Sequence, residues 1–240
     1  RGNEAILEML MWGFIGSFFL IIALILHYLF FFLYNCSNIT IVDLFLIFGF
    51  CIKIPLWPFT SWLLKAHTEA STEFSIFLSG FLVKFGVVSL YKILLFSNSF
   101  LLYNIIFCLS IVGIIDACLK LITQVDLKKI VALMTIIETN WLALCFSTNL
   151  NIFVNIGFLI LFVHALTTTI EFFLVDFIYK RCGTRNYLNI NSLNTNYPII
   201  SIFYLLSTLI IIGLPGTSIF LLKFIFLMCL LNYNIYIYIL

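Results

Sequence analysis

Seven apolar stretches follow one another along this chain, each about 20 residues or longer, the length that carries an α-helix across a bilayer. They cover roughly residues 9–33, 42–66, 73–96, 102–123, 128–148, 152–178 and 198–231. A backbone in lipid must satisfy its own hydrogen bonds, so such a chain is bound to an all-α, polytopic helix bundle. Composition agrees. Of the 240 residues, 64% are hydrophobic and 9% charged, whereas a soluble domain carries about 25% charged residues. A net charge of +2 offers no footing for nucleic acid, and membrane lipid is the surrounding the sequence asks for.

Two of the spans are broken. Pro55 and Pro58 interrupt the second, and "GLPGTS" (Gly213 to Ser218) interrupts the seventh near Pro215. Proline removes a backbone donor and clashes with the preceding turn. In a membrane the freed carbonyls need other partners, so broken helices line polar or hydrated cavities. Each break has a lysine close by, Lys53 and Lys223. The polar stretch 183–197 is the sizeable extramembrane loop of a single transmembrane domain covering 1–240.

Orientation follows from the loops. Side one, where the chain starts, carries Arg1, Lys65, Lys128, Lys129, Lys180, Arg181 and Arg185, and the opposite side carries Lys92. That asymmetry makes side one the cytoplasm of a bacterium or the matrix of a mitochondrion. The abundance of Phe, Ile, Leu and Asn suits an AT-rich organelle genome.

Ionisable groups at membrane depth are expensive and mark ion or proton paths. Lys53, Lys84, Glu138, His164, Glu171 and Lys223 lie inside the spans, on different helices except for His164 and Glu171. A lysine beside a carboxylate that moves away becomes a proton donor. Asp116 and Lys120, at i and i+4, read as a local pair near the interface. The cysteines at 36, 51, 108, 118, 145, 182 and 229 show neither a CxxC pair nor a histidine at ligand spacing, so no disulfide framework or metal site is expected.

The motif "KIPLWPFTSWLLKAHTEAST" (53–72) resembles the K-[MI]-P-x-x-P-x-x-x-W-L-P-x-A-H-x-E-A-P-T signature of the antiporter-like membrane subunits of respiratory complex I, nearest to their subunit-4 branch. In order along the chain, "GFLVKFG", "QVDLKKIVAL", "HALTTTIEFFLVDFIYKRCGTR" and "LPGTSIFLLKF" resemble later stretches of the same family. That family has about fourteen helices, and this chain resembles the sixth to the twelfth. The resemblance implies a proton-translocating subunit of NADH:ubiquinone oxidoreductase in the mitochondrial inner membrane, with basic loops and the start of the chain on the matrix side. Lys53, Lys84, His164, Lys223 and Glu138 would form the proton path. NADH, FMN, iron–sulfur clusters and ubiquinone would be bound by other subunits, with no cofactor and no metal on this chain.

Four departures from the family pattern stand out. Lys223 replaces a glutamate, Glu138 replaces the histidine of an S-x-[SA]-H-M stretch, Leu64 and Ser71 replace prolines, and the helix bearing the glutamate partner of Lys53 has no counterpart. Glu4 and Glu8 lie at the wrong place to substitute for it. The expected partners are therefore other membrane-arm subunits, with a separate chain supplying the earlier helices and that glutamate. Two alternatives stay open, a subunit of a multisubunit sodium/proton antiporter and a structural, non-pumping element that braces the arm.

Overall fold

A computed structural model describes residues 2–29, 40–97, 99–148, 150–190 and 193–232. Arg1, Cys36 and the end of the first expected span lie outside them. Helix α1 (Gly2–Leu29) starts seven residues before the expected span, because its two polar first turns remain helical beside the membrane and Glu8 pairs there with Lys65 at 2.5 Å. The second span is divided into α2 (Thr40–Lys53) and α3 (Ser61–Glu69). The third is α4 (Thr72–Phe77), a π-turn (Leu78–Leu82) and α5 (Val83–Ser97). Then come α6 (Phe100–Ile122), α7 (Leu127–Ser147) and α8 (Asn151–Cys182). A 3-10 turn (Tyr187–Asn189) and α9 (Leu193–Asn196) lead to the second broken span, α10 (Pro198–Ile212) and α11 (Ser218–Asn232). Among the described residues, five helical stretches are long and apolar enough to cross a membrane unbroken, and the two broken spans pack with them.

Helix α7 forms the centre, with α6 and α8 on its flanks and α3 and α5 also against it. Most of its residues are buried, polar ones included. The outer surface is the reverse. Phe14, Phe18, Phe81, Phe85, Ile122 and Phe162 are all exposed, as a lipid- or partner-facing surface requires. Close helix approach rests on small residues. A Cβ at Gly49 of α2 would stand 2.6 Å from Leu20 Cγ and 3.1 Å from the Gly16 carbonyl of α1.

On side one, the loop after α8 is tied down. Asp126 and Asn186 form an isolated antiparallel bridge, with Leu127 N–H donating to Arg185 O at 3.0 Å and Tyr187 N–H to Val125 O at 3.1 Å. Arg185 Nη1 donates to Thr68 O at 3.1 Å. Lys128, expected at the side-one start of the fifth span, stands there in the first turn of α7 and is buried, with its ammonium donating to Ala70 O at 2.6 Å. Its burial was not expected, because the sequence does not reveal that the 68–70 turn folds over it. Asp126 caps α7 by accepting from Lys128 N–H at 2.9 Å. Cys51, Cys108, Cys118, Cys145, Cys182 and Cys229 are free, and no cluster among the described residues could hold a metal ion.

Candidate functional site

Each interruption of the helical ladder releases a carbonyl, and each released carbonyl finds a side chain or a turn. At the first break Leu56 N–H bonds Cys51 O at 2.9 Å, one residue further back than an α-helix would reach. Ile52 O, left over, accepts from Trp62 Nε1 at 3.1 Å. At the π-turn Val83 N–H bonds Leu78 O and bypasses Ser79 O. The Lys84 ammonium donates to that Ser79 carbonyl. The wide turn therefore gives a buried lysine an acceptor inside its own helix. At the second break Gly213 adopts φ +78°, a left-handed conformation that glycine enters without a Cβ clash, and Leu214 N–H returns to Leu209 O at 3.2 Å.

Four of the five expected path residues converge. Glu138 of α7 is 1% exposed and its Oε1 accepts from the ammonium of Lys223 on α11. Lys223 also stands 5.4 Å from the ring centroid of Trp141. The second carboxylate oxygen, Oε2, is buried with no partner, and the Glu138 charge is also felt by Lys84. Lys84 is buried on α5. His164 of α8 is fully buried, neither ring nitrogen has a partner, and it lies in the field of both Lys84 and Lys223. Lysine, carboxylate, imidazole and lysine thus come from four helices to one interior region.

Lys53 stands apart. It is the last residue of α2, it is exposed, and no described residue forms an ion pair with it. It lines a cavity of about 540 Å³ bounded by Met9, Phe14, Trp62, Leu82 and Phe85, with no carboxylate in its wall. Glu8 is engaged by Lys65 instead. Asp116 and Lys120 form the expected pair at 2.5 Å.

One further buried ionisable residue was not among those expected. His67 of α3 is fully buried, leaves both ring nitrogens unpartnered, and stacks on Phe172 with centroids 4.9 Å apart. It feels both Lys128 and Lys84, so it lies between the side-one end of α7 and the centre. The signal was its place within the "KAHTE" stretch beside the first break.

A bundle of neutral leucines would avoid the cost of these groups. Their chemistry suits proton exchange, because every member titrates and the unpartnered atoms could each take a hydrogen bond from or to water.

Over residues 1–240 the chain matches the family described as NADH:quinone oxidoreductase/Mrp antiporter, transmembrane. It is 33% identical over 237 residues to NADH-ubiquinone oxidoreductase chain 4 of Paramecium tetraurelia, covering 93% of this chain and 49% of that one. It is 30% identical over 192 residues to NADH-quinone oxidoreductase subunit M of Rickettsia felis, covering 78% and 38%. The chain thus spans about half or less of the length of the curated relatives it matches. Its fold is shared with a chain of the Mrp complex from Dietzia (TM-score 0.87, 16% identity, 99% of this chain and 47% of that one). It is also shared with a chain of an archaeal membrane-bound sulfane sulfur reductase (TM-score 0.84, 23% identity, 92% and 49%). The chain belongs to the transmembrane family of NADH:quinone oxidoreductase and Mrp antiporter subunits.

Proposed function

We propose that this chain moves protons as a membrane-arm subunit of mitochondrial NADH:ubiquinone oxidoreductase, in the position of subunit 4. The observation that carries the reading is the buried Glu138–Lys223 pair, with buried Lys84 and His164 within its field. A proton added to Glu138 would release Lys223, and the change of field would favour proton loss from Lys84, so each transfer drives the next. His164 would link the two lysine sites through water. Lys53 would be the entry to this lateral path. Its carboxylate partner would come from the earlier helices of the family, seated over the cavity beside α1. NADH oxidation and quinone reduction would occur on other subunits, with FMN and iron–sulfur clusters there. The basic side would face the matrix.

A structural reading has one observation in its favour, the apolar wall around Lys53. The experiment is to isolate the complex carrying Lys53→Met or Lys84→Met and measure NADH-driven turnover and proton uptake. Assembled complexes with proton uptake about tenfold down or lower support the pump. Wild-type uptake in both variants leaves the bracing role. Isolation of the chain without iron–sulfur subunits, in a complex that exchanges sodium for protons, would instead assign it to an antiporter.

A further inference from the structure

The pair at the centre does not use Glu171. This carboxyl of α8 is 1% exposed, no described residue forms an ion pair with it, and its Oε1 has no hydrogen-bond partner. Glu171 follows His164 by seven residues, so the two lie on one stripe of the helix, about 10 Å apart along its axis. Thr167 and Thr168 occupy the stripe between them and are buried. Their hydroxyls donate to helix carbonyls, Thr167 to Val163 O at 3.0 Å and Thr168 to His164 O at 2.8 Å. Each hydroxyl oxygen therefore keeps acceptor lone pairs.

The stripe collects a carboxyl oxygen, two ring nitrogens and two hydroxyl oxygens inside an apolar bundle. Orphaned polar atoms gathered this way are the sites that internal water occupies. Two or three waters at about 2.8 Å per hydrogen bond would span the interval. Lys84 of α5 and Lys223 of α11 act on the His164 end, and Tyr204 of α10 lies in the field of Glu171. His67 of α3 stacks on the adjacent Phe172. Toward side one the stripe closes in an apolar layer of Leu127, Val131, Phe172, Val175 and Ile178. A leucine at 171 would pack among these neighbours without the desolvation a carboxyl suffers.

We propose that Glu171 is a proton-relay carboxyl that exchanges protons with His164 through water along the Thr167–Thr168 stripe, giving the path a branch on α8 directed toward side one. In the step, the Glu171 O–H bond breaks as its proton enters the first water. The last water gives a proton to a ring nitrogen of His164. The carboxylate is then re-protonated from side one when water crosses the apolar layer, and no electron moves. That layer makes the branch gated. The proposal rests on the proton-moving reading above.

The test uses the intact complex in proteoliposomes with Glu171→Gln, Glu171→Asp and Glu138→Gln, and measures donor-driven proton uptake. Glu171→Gln, which keeps shape and loses the proton, is expected to lower uptake about tenfold or more, with Glu171→Asp retaining it. The reverse order, Gln tolerated and Asp impaired, marks a packing role and overturns the relay. If Glu171→Gln equals wild type while Glu138→Gln is impaired, the relay fails and the proton-moving reading stands. If both equal wild type, that reading fails too. Should the variants not assemble, a density map of the wild-type complex decides. Ordered waters joining Glu171 to His164 support the relay, and a dry gap overturns it.

Discussion

Lys223 and Glu138, 85 positions apart in sequence, meet as an ion pair in the interior of the bundle. By the motif resemblance given above, they stand where the family pattern has a glutamate and a histidine. The two departures answer one another. A lone lysine at 223 would face an apolar interior, and a lone carboxylate at 138 would do the same. Together they keep two titratable groups at the second broken span with their charges compensated.

Removing one member of a buried pair strands the other and costs about 3–5 kcal/mol, whereas removing both leaves no unpaired charge. Glu138→Leu and Lys223→Leu are each expected to lower the melting temperature of the complex, and the double substitution to restore most of it while proton uptake stays lost. Additive losses in the double variant would show that the two do not act as a unit.

The π-turn has a geometric role. It bypasses the Ser79 carbonyl that Lys84 uses. Deleting Phe81, whose side chain is exposed, lets the helix close to the ordinary ladder and rotates Lys84 by about 100° against the preceding turns. The expected outcome is an assembled complex whose proton uptake falls as far as in Lys84→Met. Unchanged uptake would show that the wide turn does not aim the lysine.

Trp62 holds the first break together by donating its indole N–H to Ile52 O. Trp62→Phe keeps the ring packing and leaves that carbonyl without its donor, a loss of about 1–3 kcal/mol. Thermal unfolding of the variant complex checks this, and an unchanged melting temperature contradicts it.

Gly113 of α6 lies against Asn140 of α7. A Cβ there would stand 2.2 Å from Asn140 Oδ1 and 2.8 Å from its Cγ, whereas one at Gly13 meets nothing within 4 Å. Gly113→Ala must move a buried amide and is expected to cost about 1–3 kcal/mol. Gly13→Ala is expected to be neutral or slightly stabilising, since alanine is the better helix former by up to about 1 kcal/mol. Melting temperatures of the two variants separate these effects, and equal shifts would contradict the packing at Gly113.

The spans were legible because a bilayer imposes a length, and both breaks were legible because Pro55, Pro58 and "GLPGTS" are local signals. The π-turn was not, since nothing in "LSGFL" distinguishes five residues of wide helix from five of ordinary helix. Among the candidate residues, the sequence reading picked out Lys84, Glu138, His164 and Lys223 by their depth in apolar runs. It had no means of pairing Glu138 with Lys223, because that contact depends on how α11 packs against α7 and α8. The burial of Lys128 was hidden for a similar reason, being created by a turn nearly 60 residues away. His67 went unnoticed because its burial comes from stacking on Phe172 of a distant helix.

The most direct test of the proton-moving account is a count of protons taken up per electron by proteoliposomes containing the complex with Lys84→Met, alongside wild type. The account predicts an assembled complex whose proton uptake is about tenfold lower or less. Proton uptake and turnover both at the wild-type level would contradict it, and the buried cluster would then be part of a bracing element and not of a proton path.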